Sequence, residues 1–222
     1  MFQFVILLFQ NILLFFLSRR TTNKLFQFLR IFIKKERIVF WIISLLYFPG
    51  TILHEMSHFL TATILFLKVK DINIFPEIKK DYIKLGSVLY EKKDFVRGFV
   101  IGIAPFFAGI FFFYYLSIFN LFPSVNFFQN LIFLYLIFAV SSTMFSSKQD
   151  LVDFVFIIPF IIFMAGVFYI FQINLDFILK DQKALINLLE FLKEVNFYLF
   201  VSLLVNLGSI IIIKFLTILA KK

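Results

Sequence analysis

YFPGTILHEMSHFLTATILFL, residues 47–67, carries two histidines and a glutamate in the middle of an otherwise apolar run. About 20 apolar residues in a helix match the hydrocarbon thickness of a bilayer, so the run reads as a membrane span. A glutamate inside a span costs at least about 2–3 kcal/mol on insertion scales and therefore needs a partner. His54 and His58 are four residues apart, which places them on one helix face, one turn apart. Two imidazoles so placed can grip one metal ion. Glu55 follows His54 and can reach a water beside that ion, which is the physical content of the H-E-x-x-H pattern: two ligands and a general base. The plainer alternative is a set of polar side chains that bond to neighbouring helices. Two features favour the metal: the chain's only two histidines are both here, and the glutamate lies in the same apolar run.

The rest of the composition agrees with a lipid solvent. The 222 residues are 62% hydrophobic and 16% charged, with a mean hydropathy of +0.98. A soluble domain of this size cannot hide so much apolar surface. The 38 phenylalanines are read as the product of an AT-rich, codon-biased genome, and no function is drawn from them. The absence of cysteine excludes disulfides and thiolate metal sites. The net charge of +9 would suggest nucleic acid in a soluble protein. Here the basic residues flank apolar runs, so the expected partner is anionic lipid and not nucleic acid.

Working outward from the motif, residues 1–17 form an apolar first span or anchor. Residues 18–37 hold Arg19, Arg20, Lys24, Arg30, Lys34, Lys35 and Arg37 and are expected to rest on a membrane surface. The second apolar run, 38–67, is divided by Pro49-Gly50, where a kink or break is expected. Both of its flanks are basic and both favour the cytoplasm, so either the run re-enters at Pro49-Gly50 or one flank is held at the surface against that preference. Beyond it, VKDINIF and YIKLGSVLY are short, β-branched and partly alternating, which predicts a pair of strands. Further apolar runs occupy 99–119, 127–145, 154–173 and 197–220, with an amphipathic connector over 174–196. The expected fold is a mainly α, polytopic helical membrane protein of five to six spans, with a small β-hairpin insertion after the HExxH helix. Its parts are an anchor with a basic segment (1–37), a metalloprotease-like core (38–153) and C-terminal spans (154–222).

Zinc in a catalytic site takes three protein ligands and leaves one position for water. With no third histidine, a carboxylate must serve. Asp71, Glu77, Asp81, Glu91 and Asp94 lie in the strand region, and Asp150 and Asp153 follow the fourth run and the polar cluster Ser141-Ser142-Thr143. Asp150 comes first after the span and faces the bundle most readily.

The order of these parts resembles the site-2 protease family of intramembrane zinc metallopeptidases, over residues 47–153. That family has HExxH in a membrane helix, a strand-containing insertion, a helix opening with a Gly-Pro-type motif, and a further helix whose Asn precedes a ligand Asp by eight positions. The corresponding stretches here are HEMSH, the strands of 69–90, GIAPFFAG at 102–109 and STMFSSKQD at 142–150. Ser142 stands eight positions before Asp150, where the family has Asn; no proline follows it, and Leu151 stands where Gly is usual. More narrowly, the chain is similar to a bacterial branch of such proteins with an FPGTILHExSH signature. The resemblance implies Zn²⁺ held by His54, His58 and Asp150, Glu55 as the catalytic base, and Ser142 in substrate positioning. It implies a membrane-protein or membrane-anchored peptide as substrate and the bacterial plasma membrane as the location. A divalent-cation transporter and a catalytically silent scaffold of the same fold are the rival expectations.

Overall fold

The structure is a computed structural model and describes residues 2–78, 83–91, 94–144 and 182–220. Among these, five helices hold most of the residues: α1 (Phe2–Phe32), α2 (Glu36–Ile64), α3 (Phe95–Ile118), α4 (Phe127–Thr143) and α5 (Gln182–Leu219). Between α2 and α3 lie β1 (Val69–Asn73), β2 (Glu77–Ile78), β3 (Ile83–Lys84) and β4 (Ser87–Tyr90). Four helices, α1, α2, α3 and α5, are long and apolar enough to cross a membrane; α4 is apolar but shorter. The mainly helical class with a β insertion after the HExxH helix is as expected. The fifth apolar run, 154–173, lies outside the described residues.

Several boundaries differ from the sequence expectation. The anchor and the basic segment form one helix, α1, with no break at Ser18. Its sequence holds neither proline nor glycine. The hydroxyls of Ser18, Thr21 and Thr22 donate back to the carbonyls of Phe15, Leu17 and Ser18, which lets these residues stay helical. The connector of 174–196 likewise has no separate end: from Gln182 onward it is continuous with the last span in α5. α1 and α5 pack on each other through Leu7 and Leu14 against Val195, Leu199 and Leu203. Polar ties reinforce the pair, Asn196 Nδ2 donating at 2.9 Å to both the carbonyl and the side-chain oxygen of Gln3.

α2 is helical straight through Pro49-Gly50, so the run neither breaks nor folds back there. Pro49 cannot donate within the helix, but the backbone around it is served by hydroxyls. Tyr135 Oη donates to the Leu46 carbonyl at 3.1 Å, and Thr51 Oγ1 to the Tyr47 carbonyl at 3.2 Å. Gly50 has a separate purpose. A Cβ there would lie 2.3 Å from the Ala139 carbonyl oxygen and 2.4 Å from Thr143 Oγ1. Only glycine lets the last turns of α4 close onto α2 at this point, because the obstacle is backbone that cannot swing away. Tyr47 stacks on Phe138 at 5.6 Å beside this contact, within a cluster that also buries Val39 and Ile43.

The first expected strand is present as β1, whereas the second, YIKLGSVLY, is split into β3 and β4, and β3 pairs with β2 from the stretch expected as a loop. β1 pairs antiparallel with β4, Ile72 opposite Val88 and Asn73 opposite Ser87, with an irregularity between Val69 and Asp71. β2 pairs with β3, Glu77 opposite Lys84. The registers nest, so the two ladders form one long hairpin interrupted at 74–76 and 85–86. Phe75 in that interruption stacks on Phe48 of α2 at 5.9 Å. The hairpin therefore folds back along α2 and does not project from its end.

Candidate functional site

α2 is 29 residues long, and Glu55 lies about 13 Å in from its C-terminal end at 1.5 Å per residue. His54 and Glu55 are buried, 4% and 6% exposed, and His58 is partly buried. The helical spacing acts as the sequence requires. The two imidazoles meet edge to face with centroids 4.8 Å apart, and their Nε2 atoms approach to 3.2 Å. Two nitrogens on one tetrahedral zinc, at bonds of about 2.0–2.1 Å, stand roughly 3.3–3.4 Å apart. The observed separation is within a small rotation of that value, so the donor pair fits a tetrahedral metal.

The ring of His58 is fixed from its other side. His58 Nδ1 lies 2.9 Å from the Ile101 carbonyl oxygen. A carbonyl can only accept, so in this bond Nδ1 carries the proton and donates it. The neutral ring then has its lone pair on Nε2, facing His54. A metal-ligating histidine commonly has this arrangement, with the remote N–H donated to a backbone carbonyl. α3 is thus packed beside the site, and its Gly109 makes a close contact with Met144, just past the end of α4. A Cβ at Gly109 would lie 2.7 Å from the Met144 Sδ.

The β insertion reaches the same place. A Cβ on Gly86 would lie 2.5 Å from Glu55 Cγ and 2.8 Å from Glu55 Oε1. The interruption between the two ladders is therefore pressed against the carboxylate of the motif, and β4 begins at the next residue. Sequence reasoning placed the strands after the HExxH helix but missed Gly86 and Ile101. The signals were present, a glycine inside YIKLGSVLY and a proline four residues after Ile101.

Among the described residues, no third histidine or acidic side chain gathers with His54 and His58 to complete a metal-binding group of three. Several strand-region carboxylates are engaged locally. Glu77 accepts from Asn73 Nδ2, Glu91 pairs with Lys70 at 3.2 Å, and Asp94 caps α3 by accepting from Arg97 N. Asp71 is exposed. Asp81, Asp150 and Asp153 lie outside the described residues. Ser142 is in the last turn of α4, and its Oγ is buried with no hydrogen-bond partner among the described residues. Thr143, its neighbour, lies against Gly50, one turn before His54. The end of the fourth helix thus approaches the HExxH helix close to the motif. The chain matches no family model, no curated protein and no solved structure.

Proposed function

We propose that the chain is an integral membrane zinc protease of the site-2 type, hydrolysing a peptide bond within or beside the bilayer of a bacterial plasma membrane. The observation that carries this reading is the convergence of the two Nε2 atoms at 3.2 Å in an apolar helix whose residue after His54 is the buried Glu55. His54 and His58 would hold the metal, with Asp150 as the third ligand and Asp153 as its competitor. Zinc, when bound, supplies Lewis acidity to a water and to the peptide carbonyl. Glu55 accepts the proton of the attacking water and returns it to the leaving amine, so that the C–N bond breaks with the charge balanced. Burial of Glu55 and the cover provided by Gly86 exclude bulk water from these transfers.

A helical substrate hides its carbonyls in its own hydrogen bonds and must be unwound before attack. Among the described residues β1 and β4 each pair with one partner strand, and β4 starts beside Gly86. Strand addition at this hairpin would hold an extended segment of a membrane-anchored substrate against Glu55, with Ser142 as a further positioning group from α4. The hairpin lies back along α2, which favours the arrangement in which its basic residues are held at the surface against the usual charge preference.

The test uses detergent-purified full chain, with zinc content and cleavage of a single-span peptide library read on wild type, Asp150→Ala and Asp153→Ala. Asp150→Ala should lose zinc and cleavage, and Asp153→Ala should keep both. The reverse pattern reassigns the ligand to Asp153. Zinc without cleavage of any membrane-anchored peptide would favour the silent scaffold.

A further inference from the structure

Ile101 is fully buried in the cluster with Ala62 and Leu67, where α3 begins beside the end of α2. Its carbonyl oxygen is the acceptor for His58 Nδ1. In an uninterrupted helix that carbonyl would be the acceptor for the N–H of the residue four positions later. Here that residue is Pro105, which lies inside α3 and has no N–H. The chain thus places a proline at the one position that removes the helical competitor for the carbonyl used by His58. Proline within a helix is otherwise costly, by about 3 kcal/mol relative to alanine, so its presence in a buried, well-packed helix calls for a compensating contact. The His58 bond is such a contact.

We propose that Pro105 is a positioning residue for His58. By withholding an N–H from the Ile101 carbonyl, it reserves that oxygen for His58 Nδ1, and so fixes the imidazole as the Nδ1–H tautomer with its Nε2 lone pair turned toward His54. Pro105 touches neither metal nor substrate in this scheme; it acts through one backbone oxygen. Low local polarity around Ile101 sharpens the effect, because a buried carbonyl has no water to accept from instead. The consequence for metal affinity rests on the zinc reading above, whereas the tautomer of His58 does not.

The experiment uses full-length protein in detergent, labelled with ¹⁵N only in histidine. With two histidines in the chain, a His54→Asn variant assigns the imidazole signals. Pro105→Ala and Pro105→Val both restore an N–H, and their side chains bracket proline in volume. In metal-free wild type, His58 should show the Nδ1–H form alone. In both variants it should become a mixture of tautomers, and zinc affinity should fall about 10–100-fold, the usual cost of losing such a supporting bond. Thermal stability should hold or rise, since each variant regains a helical hydrogen bond. A packing role alone would lower stability and leave the tautomer unchanged. An unchanged Nδ1–H form in both variants overturns the proposal, as does a change in only one of them, which would point to side-chain shape. If wild type binds no zinc, the protease reading fails, and the ¹⁵N spectra still decide the role of Pro105.

Discussion

Glu55→Gln will keep its zinc and lose cleavage by about 10²–10⁴-fold, the range expected when a general base is removed. The amide has the shape of the carboxylate and remains neutral, so a residue 6% exposed can be replaced without a cavity or a buried charge. It cannot accept the proton of the attacking water. The histidines meet through their own Nε2 atoms, 3.2 Å apart, and glutamine keeps the shape of Glu55, so metal binding should survive. Zinc content and single-turnover cleavage of a membrane-anchored peptide, measured on the same preparation, separate the two effects. Cleavage near the wild-type rate removes Glu55 from the role of base. Loss of zinc along with activity would show that Glu55 supports the site and is not only a base.

Gly86→Ala is expected to lower cleavage at least about 10-fold while leaving zinc and the fold in place. The new Cβ would stand 2.5 Å from Glu55 Cγ, closer than carbon atoms can approach. The obstacle is the far part of a flexible side chain, so Glu55 swings aside and the hairpin stays paired. A displacement of about 1 Å at a reacting group can cost on the order of 10²-fold in rate. Gly50 is the useful contrast. There the obstacle is the Ala139 backbone, and a substitution would act on helix packing first. For Gly86→Ala, the rate, zinc content and melting temperature are read together. A normal rate would mean that the carboxylate does not work from the position it holds against the hairpin. A large fall in melting temperature would mean that the contact is structural.

The residues that chemistry needs close together in sequence were the legible ones. The i, i+4 spacing of His54 and His58 is a property of any helix, and an apolar run around it fixes the helix. The strand pair was visible in its alternation, and its position after the motif followed from order along the chain. What sequence reasoning missed was non-local. The bond from His58 to Ile101 joins residues 43 apart, and the approach of Gly86 to Glu55 depends on the hairpin folding back along α2. Neither is encoded in a local period. Of the kink or break expected at Pro49-Gly50, the break is absent: α2 stays helical through the pair, Tyr135 and Thr51 donate to the nearby carbonyls of Leu46 and Tyr47, and Gly50 admits α4 at close range. The boundaries at Ser18 and Asn196 failed because a change from apolar to polar surface does not end a helix when neither proline nor glycine intervenes.

Zinc content of the detergent-purified chain, compared with that of the double variant His54→Ala/His58→Ala, tests the metalloprotease reading most directly. The expected result is about one tightly held zinc per wild-type chain and none in the double variant, with the variant still folded by helical circular dichroism. A wild type that holds no transition metal, or a double variant that holds as much zinc as wild type, contradicts it.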